Sequence, residues 1–190
     1  MIRKEWTMIS DGSVVSVFGS SQAQAGSDAY DEAQQVGRLL AQAGVTVCSG
    51  GYGGVMEAVS RGAKEAGGRV IAVTTEWFAE LTVNAWADEE IRTTTFLERL
   101  RTIIEVGDAY LALKGGIGTL TEISTVWSLL QTRSIPPRPL VLLANPWQGL
   151  ARFCQDELIV RAHDFNYLRV ASTPSDAVEL VMQALAAENS

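Results

Sequence analysis

The segment Ala109-Tyr-Leu-Ala-Leu-Lys-Gly-Gly-Ile-Gly-Thr-Leu-Thr-Glu122 is an apolar run that turns through three glycines into a helix. Ala109–Leu113 has the length and composition of a buried strand, and the helix that follows runs to about Gln131. Gly115, Gly116 and Gly118 let the backbone approach an anion closely, while the free N–H groups of the first helical turn point at it. Thr119 either adds a hydroxyl to the same anion or caps the helix. Thr119 with Glu122, three residues on, also fits a capping box, so spacing alone leaves both readings open. The common nucleotide fingerprints are missing: after Gly116 and Gly118 the third glycine position holds Thr121, and no Gly-x-x-x-x-Gly-Lys-Ser/Thr run occurs. A redox dinucleotide or an ATP-hydrolysing site loses support.

Outward from this segment the chain alternates short apolar runs with helical periodicity. Strands are expected at Val14–Phe18, Val45–Cys48, Val70–Val73, Ile91–Thr95, Leu140–Ala144 and Leu168–Val170. Helices are expected at Asp28–Ala43, Val55–Ala66, Phe96–Val106, Trp147–Val160 and Pro174–Ala187. The first carries Ala29, Ala33, Val36, Leu39, Leu40 and Ala43 on one stripe and stops at Gly44; the second stops at Gly67-Gly68. Thr75–Glu90 is the least regular stretch, and its Trp77, Phe78 and Trp86 suggest a loop that folds over something. The pattern predicts an α/β protein: one doubly wound, mainly parallel sheet between two helix layers. A single domain at 14–187 would follow an N-terminal tail at 1–13. The glycine-bearing loops after Phe18, Cys48 and Leu113 would leave carboxyl ends of strands and converge.

Composition narrows the partners. A net charge of -7 in 190 residues argues against nucleic acid, whose backbone needs clustered Lys and Arg; a small anion stays compatible. Cys48 and Cys154 match no metal spacing, and Cys48 reads as a buried free thiol, so no metal is expected. With no run of eighteen apolar residues and no apolar stretch in Met1–Ser10 of the signal-peptide kind, a cytoplasmic protein without membrane contact is expected. The single histidine, His163, lies in a polar C-terminal stretch and is not expected to be catalytic.

Lys114–Glu122 resembles the Pro-Gly-Gly-x-Gly-Thr-x-x-Glu motif of the LOG family, the cytokinin-activating nucleotide phosphoribohydrolases, often mislabelled as possible lysine decarboxylases. Ser49–Ala63 is similar to that family's glycine-rich loop and following helix, and Val17–Ser21 and Glu98-Arg99 also match, in the family's order, from about Val14 to Val181. The resemblance implies a Rossmann-like, three-layer homodimer. It would hydrolyse the N-glycosidic bond of AMP or a modified AMP to free base and ribose 5-phosphate, with no cofactor. Carried over motif by motif, Gly115, Gly116, Gly118 and Thr119 would hold the 5′-phosphate, and Arg99 and Glu122 would be the catalytic pair. Gly19, Ser20, Gly50 and Gly51 would border ribose or base; Met56 would line the base pocket or belong to the core.

The chemistry agrees with that assignment. Glycosidic cleavage builds positive charge on the sugar, which a carboxylate one helical turn past a phosphate loop can stabilise. Arg99 would bind phosphate or position Glu122. Two residues depart from the family pattern. Lys114 replaces proline, either adding a cation beside the phosphate or loosening the turn, and Glu57 replaces the glycine of plant-type members. The alternative is a non-catalytic nucleotide or pterin-phosphate carrier, since proteins that look like molybdenum-cofactor carriers share this fold; a carrier has no need of the Arg99–Glu122 pair. Amino-acid decarboxylation lacks a motif for a pyridoxal phosphate lysine. Leu120, Ile123, Val126, Trp127, Leu129 and Leu130 exceed one narrow stripe, so this helix either meets a second subunit or is buried within its own.

Overall fold

Every residue of five strands is buried: β1 (Val14–Phe18), β2 (Thr46–Ser49), β3 (Val70–Thr75), β5 (Ala109–Ala112) and β6 (Leu140–Leu143). Continuous burial means both faces are covered, as in parallel sheets flanked by helices. In β4 (Glu89–Thr93) and β7 (Leu168–Ala171) exposed residues interrupt the pattern, and these two form the sheet edges. The computed structural model, which describes residues 12–143 and 146–188, gives one seven-stranded sheet in the order β4-β3-β2-β1-β5-β6-β7, parallel throughout. The expected tail at 1–13 lies largely outside the described residues, as does Ala144.

Side-chain alternation along the strands divides the apolar residues between two layers. Val15, Val17, Val47 and Leu111 face α1 (Asp28–Gln42), α2 (Val55–Glu65) and α6 (Pro174–Glu188). Phe18, Cys48, Ile71 and Tyr110 face α3 (Phe96–Val106), α4 (Ile117–Gln131) and Trp147 at the start of α5 (Trp147–Glu157). This is the expected doubly wound, Rossmann-like sandwich. Strand order reverses beside β1, where β2 and β5 flank it, and it is outside the carboxyl ends of strands at such a point that open α/β sheets bind ligands. Among the described residues no helix is long and apolar enough to cross a membrane.

Glycine stops work as expected. Gly44 and Gly67 take φ of +79° and +80°, and the amides of Gly44 and Val45, and of Gly67 and Gly68, turn back onto carbonyls of the last helical turn. Some boundaries differ. α5 ends at Glu157, not Val160: Leu158 is extended and Ile159 fully exposed, so no burial rewards another turn. The fourth strand is Glu89–Thr93 because Thr95 is taken as the N-cap of α3, and its glutamates are tolerated on an edge. Ala43, assigned to the buried stripe of α1, is exposed.

The helices α1 and α2 cross at two glycines. A Cβ on Gly62 would lie 1.9 Å from the Gln34 carbonyl oxygen, and one on Gly37 2.0 Å from that of Val59. Both obstacles are backbone, so relief requires the helices to separate. Gly62→Ala is expected to destabilise by about 1–3 kcal/mol, because the helix-propensity gain of about 1 kcal/mol offsets only part of the clash. Thermal unfolding should show a midpoint several degrees lower; an unchanged midpoint would mean that this close crossing contributes nothing.

Candidate functional site

Three loops are clipped together at the carboxyl edge of the sheet. The Leu113 amide donates to the Phe18 carbonyl (2.9 Å), Ser20 N–H to the Lys114 carbonyl (3.1 Å), and Val55 N–H to the Ser20 carbonyl (2.8 Å). Close packing explains the glycines. A Cβ on Gly19 would stand 2.2 Å from the Val55 side chain, and Gly54, at φ +69°, would meet the Ser20 carbonyl oxygen at 2.4 Å. The expected convergence is present.

The first four helices differ in how their N-termini are satisfied. Ser27 and Thr95 cap α1 and α3 with hydroxyls, but α2 and α4 begin at Gly54 and Gly116 with no side-chain cap. The β1 loop covers the start of α2 through Ser20. The start of α4 stays open: Gly116, Ile117 and Gly118 are exposed, and a Cβ on Gly116 or Gly118 would meet nothing within 4 Å. The first turn-closing bond is Leu120 N–H to the Gly116 carbonyl (2.9 Å), leaving the preceding amides and the positive end of the helix dipole toward that space. Thr119 lies within the first turn, not at the N-cap, so the capping-box reading fails. Its side chain is buried under Gly115, where a Cβ would come 2.1 Å from the hydroxyl oxygen.

Arg99 is brought in from α3. Thr95 caps that helix and Glu98 folds back to accept from Thr94 N–H (3.0 Å) and its hydroxyl (2.7 Å), so Arg99, the next residue, faces the sheet. Only 7% of Arg99 is exposed. Its Nε donates to the Val73 carbonyl (2.8 Å) and Nη2 to the Gly50 carbonyl (3.2 Å), with the guanidinium 5.5 Å from the Tyr52 ring centre. A Cβ on Gly50 would lie 1.9 Å from Nη2 and 2.5 Å from the Met56 sulfur, so Gly50, Met56 and Arg99 meet at one point. Gly51, by contrast, turns toward β3, with Ala72 2.6 Å from where its Cβ would be.

Glu122 lies on α4 one turn past its open start and is partly buried. Burial lifts its carboxyl far above the usual range, to about 7, against the charge of Arg99, which pulls it down. Arg99 acts across space here, since its hydrogen bonds go to carbonyls. Lys114 is exposed and its charge acts on Glu32 of α1, lowering a carboxyl that burial raises. Glu57 accepts from the Tyr30 hydroxyl (3.4 Å) and so braces α1 against α2. His163 precedes β7 at the opposite, amino edge of the sheet and pairs with Asp164 (3.2 Å). Cys48 is a buried free thiol, pushed up to about 12 by burial.

Two features answer open expectations. The 76–88 segment folds over Tyr52: Phe78 meets the ring edge-on at 5.8 Å, and Asn84 binds the Gly51 carbonyl (2.8 Å) and the Tyr52 carbonyl (3.2 Å). Tyr52 is not among the residues the motifs bring forward; the lone aromatic among four glycines is the signal the sequence offers for it. In α4, Ile123, Val126 and Leu130 are buried, Leu120, Trp127 and Leu129 only partly, and Ile117 is 79% exposed. Leu97, in the first turn of α3, is 73% exposed.

Residues 13–135, which contain all three loops, Arg99 and Glu122, match the model of the SLOG cluster4 family. A protein of Archaeoglobus fulgidus is 36% identical over 110 residues, 58% of this chain and 70% of that one. The cytokinin riboside 5′-monophosphate phosphoribohydrolase of Mycobacterium tuberculosis is 34% identical over 120 residues, 60% of this chain and 62%, less than two thirds, of that enzyme. Among solved structures, the molybdenum cofactor binding protein of Rippkaea orientalis superposes with a TM-score of 0.75 at 25% identity, over 93% of this chain and 99% of that one.

Because Glu122 holds its proton more tightly when folded, its ionisation destabilises the native state as pH rises from the ordinary carboxylate range through about 7. Glu122→Gln is therefore expected to be more stable than wild type at pH 8, by on the order of 1–3 kcal/mol, with the gap closing below about pH 4.5. Denaturant melts at the two pH values measure it; equal gaps at both would contradict the burial argument.

Proposed function

The chain belongs to the SLOG cluster4 family, and from that premise we propose that it hydrolyses the N-glycosidic bond of AMP or a modified AMP, releasing free base and ribose 5-phosphate. The observation that carries this reading is the placement of Glu122, with its raised pKa and the buried Arg99 charge beside it, one turn beyond the uncapped start of α4. The 5′-phosphate sits at the amides after Gly115, Gly116 and Gly118, with Thr119 beneath, and the ribose spans from there to Glu122. Gly19, Ser20 and Gly50 border the sugar and base, and Met56 lines the base pocket beside Gly50.

As the bond between C1′ and the base nitrogen lengthens, the Glu122 carboxylate faces the growing positive charge and takes a proton from the attacking water, whose oxygen bonds C1′. The departing base takes its proton from solvent. The Arg99 charge opposes the effect of burial, so that part of Glu122 is ionised at neutral pH. Two copies form the working unit, with exposed apolar residues such as Ile117, at the open start of α4, available to the contact. The two buried free cysteines accord with a reducing, cytoplasmic setting. The likeness to a molybdenum cofactor binding protein favours a second reading, a carrier of a nucleotide or pterin phosphate that uses the same open helix start without chemistry.

Base release from a panel of nucleoside 5′-monophosphates separates the two. The hydrolase reading expects AMP or a modified AMP to be cleaved, kcat to rise with pH through about 7 as Glu122 ionises, and Glu122→Ala to lose about 10²–10⁴-fold while still binding nucleotide. No cleavage across the panel, with thermal stabilisation by a nucleotide or pterin phosphate, would favour the carrier.

A further inference from the structure

We propose that Tyr52 is a positioning residue that holds the Arg99 guanidinium in place and ties it to the 76–88 segment; the inference rests on the hydrolase reading above. Tyr52 is 4% exposed, a bulky ring in a loop otherwise made of glycines, where turn geometry asks for no aromatic. Its hydroxyl is spent on one residue: it accepts from Thr75 N–H (3.0 Å) and donates to the Thr75 carbonyl (3.3 Å). That double bond of donor and acceptor fixes the ring against the end of β3.

The same strand end holds Arg99, through the Val73 carbonyl two residues earlier. Val73 and Gly50 hold the guanidinium through Nε and Nη2, and its carbon stands over the Tyr52 ring, 5.5 Å from the centre. Phe78 meets the ring edge-on and Asn84 holds the Tyr52 backbone, so the 76–88 segment reaches Arg99 through this residue. Arg99 from α3 is the charged group that acts on Glu122, so movement of Tyr52 alters the ionisation of a carboxyl it does not touch.

The test compares wild type, Tyr52→Phe, Tyr52→Leu and Phe78→Ala. Two readouts are taken: steady-state base release against pH, and an NMR titration of the Glu122 carboxyl, which needs no turnover. Tyr52→Leu should lose roughly ten-fold in kcat with KM nearly unchanged, because the phosphate loop is intact. Its Glu122 titration should move upward as the Arg99 charge slackens. Tyr52→Phe keeps the ring but loses the two Thr75 bonds that fix it, and it and Phe78→Ala should each shift the titration the same way by less. If Tyr52→Leu does not fold, Phe78→Ala carries the test, since Phe78 is on the surface of the segment. A Glu122 titration unmoved in the folded variants overturns the proposal. If wild type cleaves nothing yet the titration shifts, the hydrolase reading fails and the positioning role stands.

Discussion

A guanidinium cannot shed its charge to escape burial, so Arg99 must be satisfied where it lies. Two carbonyls at the ends of β2 and β3 do this, and much of the site follows from their being free to do so. Those strands must end side by side, Gly50 must lack a Cβ, and an aromatic ring must occupy the remaining face. A side chain at position 50 would strike both Arg99 and Met56. The glycine-rich loop is thus shaped as much by a cation belonging to the protein as by any ligand.

A second asymmetry lies in the helix starts. All helices leave amides unpaired at their first turn, and the structure covers them in different ways. Hydroxyls close α1 and α3, the Ser20 carbonyl closes α2, and α4 alone of these four presents glycines and open space. Glu122 follows on the same helix, so a rigid element sets the distance from that open start to the carboxyl. Rigid spacing of this kind is what a phosphorylated sugar requires.

Fold likeness divides between hydrolases and a cofactor binding protein because the scaffold serves both. What leans toward hydrolysis is the opposition of two effects on one carboxyl: burial, which raises its pKa, and a nearby cation, which lowers it. A group poised near neutrality between them costs stability, and such a cost is usual where chemistry is done.

The sequence by itself determined the buried strands from continuous apolar runs such as Val14–Phe18, the helix stops from Gly44 and Gly67, and the order of the glycine loops. It also brought the segment 114–122 and Arg99 forward as candidates, because a motif is local and its residues keep their spacing in any fold. Only the tertiary structure decided that Thr119 lies under Gly115 and caps nothing, that Gly51 faces β3 while Gly50 faces Arg99, and that Tyr52 belongs to the site. It alone showed Glu57 bracing α1 and the 76–88 segment reaching Tyr52. The reason is one of range. Periodicity records which side of an element is buried, whereas Arg99 meets carbonyls 26 and 49 residues away, and such meetings depend on which strands end together in the sheet.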